Sequence, residues 1–199
     1  LSFNKIEICD ISYIHKNSNG FALKKVNFSI NNGEVLMLTG DNGSGKTTFM
    51  RILTGLYPHQ EGHISVDDKS IPRYPDQDYR NIFSTLFSDY YIFRQNFGLN
   101  EANIIVFENW LIKLGIRNKV GKDLYDLNLE ALSTGQKKRV ALALAVAENR
   151  QILVLDEFAA DQDPNFRKKF YHEILPDLKK MGFTIIAVTH DEQYFTHCD

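Results

Sequence analysis

Cysteine is scarce in this chain: two in 199 residues, Cys9 and Cys198. Two cysteines build no disulfide framework, which sets aside the small secreted scaffolds and fits a reducing compartment. Neither has a His/Cys neighbourhood of metal-ligand spacing. One-sided charge is also missing. The 23 basic and 25 acidic residues leave a net charge of −2, so no nucleic-acid-binding surface is indicated and no nucleic acid is expected as a partner. The one basic run, Lys137-Lys138-Arg139, is short and reads as a solvated helix face. Long apolar runs are lacking as well. Val140 to Ala147 falls far below the ~20 residues that a bilayer span needs and reads as a buried core helix. No signal peptide, internal repeat or low-complexity tract is visible. The chain opens on Leu1 rather than Met and stops at Asp199 without an evident end, so a fragment of a longer protein is expected. Its length suits one α/β domain, or a domain with a small inserted lobe.

Glycine is concentrated where it matters. Gly40-Asp41-Asn42-Gly43-Ser44-Gly45-Lys46-Thr47-Thr48 fits G-x-x-x-x-G-K-[ST], a loop whose backbone amides cradle phosphates. The apolar run Val35 to Thr39 before it reads as a buried strand. Gly45 to Thr54 reads as a helix, with Gly55 placed to cap its end. Glycines keep side chains out of the turn, and the free N–H groups and positive end of the helix face the anion. Nucleotide binding follows from this stretch.

Around the loop, the chain alternates. Ile6 and Ile8, then Val26, Phe28 and Ile30, have the period of two expected of antiparallel strands with one wet face. Asn31-Asn32-Gly33 is a turn into the phosphate-loop strand. A strand is expected at His63 to Val66, irregular structure over 67–81, and a helix over 101–115 with Ile104, Ile105, Phe107, Trp110, Leu111 and Leu114 on one broad face. A helix from Ser133, a strand at Ile152 to Leu155, a helix from Pro164 to Met181 that Pro176 should end or kink, and a strand at Phe183 to Val188 complete the pattern. Such alternation implies a parallel sheet. The aromatic stretch Phe83, Phe87, Tyr90, Tyr91, Phe93 and Phe97 serves either core packing or contact with another subunit.

The second half supplies further chemistry. Ile152 to Leu155 is an apolar strand that ends on Asp156 and Glu157, and ligands of parallel sheets sit at the carboxyl ends of strands. Two acidic turn residues are ordinary by themselves. With a phosphate loop upstream, Asp156 suits Mg²⁺ and Glu157 suits a general base for an attacking water. Ser133 and Gln136 have capping-box spacing. Either this is simply a well-capped helix, or its N-terminus, with a hydroxyl and a small glycine, also binds a γ-phosphate.

Phosphate loop, then Leu132-Ser133-Thr134-Gly135-Gln136, then Asp156-Glu157, then Thr189-His190-Asp191 is an order that resembles the ATP-binding-cassette (ABC) ATPase domains. LSTGQ is similar to that family's LSGGQ signature with Thr134 in place of one glycine. Tyr57-Pro58 and Gly62-His63-Ile64 also resemble the family's text. A narrower likeness, to the cyclic-peptide and microcin exporters, runs through Gly135 to Leu142, Leu155 to Pro164, Phe166-Arg167 and Phe170-Tyr171. Those exporters join a membrane domain to this ATPase domain.

The resemblance implies a P-loop NTPase α/β fold over residues 1–199, with a parallel core sheet, an N-terminal antiparallel β subdomain and a small helical insertion at about 88–145. The last strands of the family are expected to lie past Asp199. It implies ATP and Mg²⁺ as ligands. Lys46 would contact the β- and γ-phosphates, Thr47 the Mg²⁺, Thr48 the α-phosphate, and His190 the γ-phosphate or the water. Ser133 and Gly135, within the signature Ser133-Thr134-Gly135-Gln136, would reach nucleotide on a second copy in an ATP-sandwich homodimer, with Asp163 coupling the two sites. It further implies a transmembrane domain fused upstream, export of a cyclic peptide, microcin or similar amphipathic substrate, and a place at the cytoplasmic face of the inner membrane.

The chain departs from the family in two places. Ser88 stands where a Mg²⁺-ligating glutamine is usual, and a hydroxyl reaches less far than an amide. His15 falls near the adenine-stacking aromatic, with Tyr13 two residues earlier as the alternative ring. A soluble ABC-type ATPase acting on ribosomes or DNA is the competing reading. A GTPase fits less well, because Asn118-Lys119-Val120-Gly121 lacks the aspartate of N-K-x-D, and a kinase has no need of LSTGQ.

Overall fold

The computed structural model describes residues 3–15, 22–95, 98–191 and 194; Phe97 and Cys198 lie outside them. Strands β1 (Lys5–Ile14), β2 (Ala22–Asn31), β4 (Glu61–Val66) and β5 (Lys69–Ile71) form an antiparallel sheet in the order β2-β1-β4-β5. Strands β3 (Val35–Leu38), β6 (Phe83–Leu86), β7 (Ile152–Asp156) and β8 (Thr184–Val188) form a second sheet in the order β3-β8-β7-β6, parallel throughout. The mixed α/β architecture is the one the pattern implies.

The parallel sheet is apolar on both faces, as crossover packing requires. Along β7 and β8, Ile152, Val154, Ile186 and Val188 face one core. Leu153, Leu155, Ile185 and Ala187 face the other. The first core is closed by the antiparallel sheet and by helix α1 (Lys46–Leu53), which buries Phe49, Met50, Ile52 and Leu53. Truncating any of these to Ala costs about 2–5 kcal/mol. The second core is closed by α3 (Glu101–Lys113), α4 (Thr134–Ala147) and a helical stretch made of α5 (Pro164–Lys169), a π-type turn (Phe170–Ile174) and α6 (Leu175–Lys180).

Several local expectations need correction. Residues 67–81 are not wholly irregular: β5 and the short helix α2 (Gln77–Arg80), capped by Asp76, lie within them. The face of α3 is narrower than its apolar residues imply, because Ile105 is 62% exposed. The aromatic stretch splits. Phe83 and Phe87 are buried, whereas Tyr91 and Phe93 are 79% and 71% exposed. Pro176 does not end its helix, which continues to Lys180. Its missing N–H and bulky ring are accommodated by the π-type turn just before it.

Candidate active site

Four parallel strands bring the predicted residues to one edge. In register, Leu38 pairs with Val188 and Val188 with Asp156, while Leu86 pairs with Leu155. The segments that leave these strand ends are therefore neighbours. After β3 comes the phosphate loop, after β6 Ser88, after β7 Glu157, and after β8 His190.

Gly40, Gly43 and Gly45 have φ of 134°, 80° and 98°, which only glycine adopts without strain. They turn the chain back over the start of α1. Gly45 is the N-cap and no side chain caps the helix. The first N–H taken up inside it is that of Phe49, donated to Gly45 O at 2.8 Å. The amides of Lys46, Thr47 and Thr48 therefore face the open, positive end of the helix. Asp41, Asn42, Gly43 and Ser44 are exposed. Lys46 Nζ donates to the carbonyls of Gly40 at 2.6 Å and Asp41 at 2.9 Å.

Thr47, Ser88 and Asp156 converge. Thr47 Oγ1 donates to Asp156 Oδ2 at 2.9 Å, and Ser88 Oγ to the same oxygen at 3.5 Å. Burial pushes the Asp156 carboxyl above the ordinary carboxylate range; the Thr47 hydrogen bond opposes the shift and the charge of Glu157 adds to it. One carboxylate with two hydroxyls is an all-oxygen donor set. It fits Mg²⁺, which takes few protein ligands and fills its remaining positions with water and substrate phosphate.

Glu157 leaves β7 in the left-handed region, at φ 52°. Its N–H donates to Val188 O at 3.1 Å, and its carbonyl accepts from Lys138 Nζ at 2.8 Å. Its carboxylate Oε1 lies 3.7 Å from His190 Nε2. Beside them, Tyr171 Oη meets Thr189 Oγ1 at 2.7 Å and donates to Asp191 Oδ2 at 3.0 Å, which steadies the segment around His190.

Both candidates for the adenine ring lie near the loop. His15 Nε2 is 3.2 Å from Thr48 Oγ1. Tyr13 stands edge-on to His15 at 4.9 Å and stacks on Tyr57 at 5.7 Å between ring centroids. Tyr57 has no place in the sequence reading as a ring of this cluster. Its hydroxyl also accepts from Arg51, whose guanidinium pairs with Asp89 at 2.7 Å.

The signature residues gather elsewhere, on the segment after Glu157. Ser133 is the N-cap of α4, and the capping box with Gln136 is closed in both directions, so Ser133 and Thr134 start the helix as expected. A Cβ added to Gly135 would lie 2.4 Å from Asp161 O, so only glycine permits this approach. Gln162 Nε2 donates to Gly135 O at 3.1 Å. Asp163 caps α5 by accepting from the Phe166 N–H, which together with Arg139 holds its carboxyl below the usual range.

The basic run is not a solvated face. Lys138 is 3% exposed and pairs with Asp161 at 2.8 Å. Arg139 pairs with Asp163 at 2.8 Å and lies 3.5 Å over the Phe166 ring. A signal was present: helical period puts Lys138 on one face with Gly135, Leu142 and Ala145, all buried.

A family model described as ABC transporter matches residues 23–160. ATP-binding protein SyrD of Pseudomonas syringae pv. syringae is 40% identical, aligned over 100% of this chain and 36% of its own length. Nisin transport ATP-binding protein NisT of Lactococcus lactis subsp. lactis is 31% identical over 83% of this chain and 30% of its own. Spermidine/putrescine import ATP-binding protein PotA of Pasteurella multocida (strain Pm70) is 32% identical over 86% of this chain and 48% of its own. The chain thus spans half or less of these relatives. Among solved structures, a bacterial Atm1-family ABC exporter with ATP bound superposes over the whole chain and 36% of its own, with a TM-score of 0.80 at 20% identity.

Proposed function

This chain belongs to the ABC transporter ATP-binding family, and on that premise we propose that it binds and hydrolyses ATP to drive export across the inner membrane. The convergence of the phosphate loop, Ser88, Asp156-Glu157 and His190 on one edge of the parallel sheet carries the reading. In this reading residues 1–199 are one ATPase domain, and about 88–145 its helical subdomain.

The amides at the start of α1 and the Lys46 ammonium hold the β- and γ-phosphates, and the Thr48 hydroxyl the α-phosphate. His15 or Tyr13 packs on the adenine. Thr47 and Asp156 hold Mg²⁺, with Ser88 as a weaker ligand. The bound cation supplies charge neutralisation of the triphosphate. Glu157 accepts the proton of the attacking water as its oxygen bonds to the γ-phosphorus, and the bond to the β-phosphate oxygen breaks to give ADP and phosphate. His190, beside that carboxylate, orients the γ-phosphate or the water. Ser133 to Gln136 cover the nucleotide of a second copy, and Asp163 links the two sites. A site divided in this way turns over only when two copies close.

No helix among the described residues is long and apolar enough to cross a membrane. A fused upstream membrane domain is proposed for that task, with this domain on the cytoplasmic face. Support comes from SyrD and the nisin transport protein NisT, of which this chain spans 36% and 30%. The exposed Tyr91 and Phe93 rings, beside a cavity of about 760 Å³ bounded by Tyr90, Arg94, Asp126 and Lys137, suit contact with that domain. Likeness to a nisin transport ATP-binding protein favours a peptide cargo, and the cargo proposed is a cyclic peptide, microcin or similar amphipathic substrate.

The test uses the full-length protein in inside-out vesicles. ATP-dependent accumulation of a labelled amphipathic cyclic peptide is expected, and Glu157→Gln should bind ATP, trap a dimer and lose turnover. Stimulation by ribosomes or DNA, without transport, would replace export by the soluble alternative.

A further inference from the structure

Lys138 is a buried charge with no part in the proposed chemistry. It projects from α4, two residues beyond Gln136, and its Nζ reaches two acceptors on one segment: Glu157 O at 2.8 Å and Asp161 Oδ2 at 2.8 Å. A lysine that is 3% exposed keeps its charge only where such partners replace water.

The carbonyl it grips belongs to the residue proposed as the base. Glu157 holds φ 52° and ψ 38° without being glycine. A backbone in that region persists when its surroundings over-determine it. Here the N–H is fixed by Val188 O at 3.1 Å, while the carbonyl is fixed by Lys138 and by the Ala160 N–H at 3.2 Å. The direction of the Glu157 side chain follows from that backbone. The same segment is joined to α4 at three further points: Gly135 against Asp161 O, Gln162 to Gly135 O and Arg139, and Asp163 to Arg139.

We propose that Lys138 is a positioning residue for hydrolysis, tying the main chain of Glu157 to the signature turn so that Ser133–Gln136 and the Glu157 carboxylate move as one body. This rests on the ATPase reading above. Its consequence is reciprocal. Contact of the signature turn with nucleotide on a second copy is transmitted to this copy's own base, so that closure on one site prepares the other.

The test is Lys138→Met in the full-length protein, with Lys138→Arg and Glu157→Gln alongside. With misplacement of a reacting group costing up to about 10²-fold, Lys138→Met should lower kcat about 10- to 100-fold per folded molecule. ATP affinity and KM should stay within about twofold. Lys138→Arg, which keeps the charge and donors, should recover part of the loss. A merely structural lysine would reduce the folded fraction and Tm but leave kcat per folded molecule unchanged, and that result overturns the proposal. If Lys138→Met does not fold, Asp161→Asn at a half-exposed position takes its place: a lower kcat at constant KM supports the tie, and an unchanged kcat refutes it. Turnover surviving in Glu157→Gln would instead sink the ATPase reading itself. An inactive Glu157→Gln with a fully active Lys138→Met would sink only this inference.

Discussion

Gly135→Ala tests the packing of the signature helix against the segment that follows Glu157. Helix propensity argues for a gain, because alanine is favoured over glycine by up to about 1 kcal/mol in a helix interior and less this close to the N-cap. Contact argues for a larger loss. The new methyl would sit 2.4 Å from Asp161 O and 3.3 Å from Gln162 Oε1, so the two segments must part by roughly 1 Å to restore ordinary contact. The obstructing atom is a main-chain oxygen and cannot rotate away as a side chain would. Overpacking of this kind costs about 1–3 kcal/mol, and strain on the Gln162 bond to Gly135 O adds up to about 1 kcal/mol. The net loss is about 1–3 kcal/mol, which at about 2–4 °C per kcal/mol for a chain of this size lowers Tm by several degrees. Calorimetry of the isolated domain measures it. Gly98→Ala is the control, since nothing lies within 4 Å of its added Cβ, and should change stability by less than about 0.5 kcal/mol. A Gly135→Ala domain that melts at or above the native Tm would refute the packing.

Asp156→Asn should separate stability from function. Burial raises the carboxyl's pKa in the fold, so the folded state binds its proton more readily than the unfolded chain. That favours folding below the ordinary carboxyl value, and the advantage is lost as pH rises through the folded value. In the absence of Mg²⁺, Asp156→Asn should therefore gain Tm relative to native over that rise, while losing Mg²⁺-dependent ATPase; a pH series of melts that shows no relative gain would contradict the burial argument. Ser88→Ala should raise the Mg²⁺ needed for half-maximal ATPase about three- to tenfold, the scale of one modest polar contact of about 1 kcal/mol. An unaltered Mg²⁺ requirement would remove Ser88 from the site. Lys46→Ala should weaken ATP binding about 10- to 100-fold, as expected for a lost charge-assisted contact, and an unchanged Kd would count against the phosphate-loop reading.

The fold was legible where local signals agree with one another. Val35–Leu38, Gly45 and the apolar face of α1 speak together, as do Ser133, Gln136 and the apolar run after them. Periodicity faltered where one element serves two surroundings. Ile105 reads as core by type but lies exposed on α3. The run from Phe83 changes from a core strand to a surface within a few residues. Pro176 reads as a stop or a kink, and the helix continues past it behind a π-type turn, a backbone adjustment whose form sequence spacing does not reveal.

The two sides of the site differ in how far sequence exposes them, and the difference is physical. The phosphate side is built where strands end, so each chemical group sits directly after an apolar run: Gly40 after β3, Glu157 after β7, His190 after β8. Its order along the chain therefore reads as a motif. The signature side is held by contacts between distant segments. Lys138 and Arg139 are a basic pair on a helix until Asp161 and Asp163 face them at 2.8 Å each. Helical period places Lys138 on the apolar face of α4, but spacing does not reveal what compensates its charge there, because the counter-ions are supplied by tertiary packing. The same dependence makes these residues suited to linking two sites. The phosphate loop is positioned by the strand it leaves, whereas a group held by a facing segment shifts when that segment shifts. Glu157 is held from both sides, by Val188 O on β8 at 3.1 Å and by Lys138 on α4 at 2.8 Å. In the proposed two-copy arrangement, regulation through closure therefore belongs to α4 and the Glu157–Asp163 segment, and phosphate binding to the sheet edge.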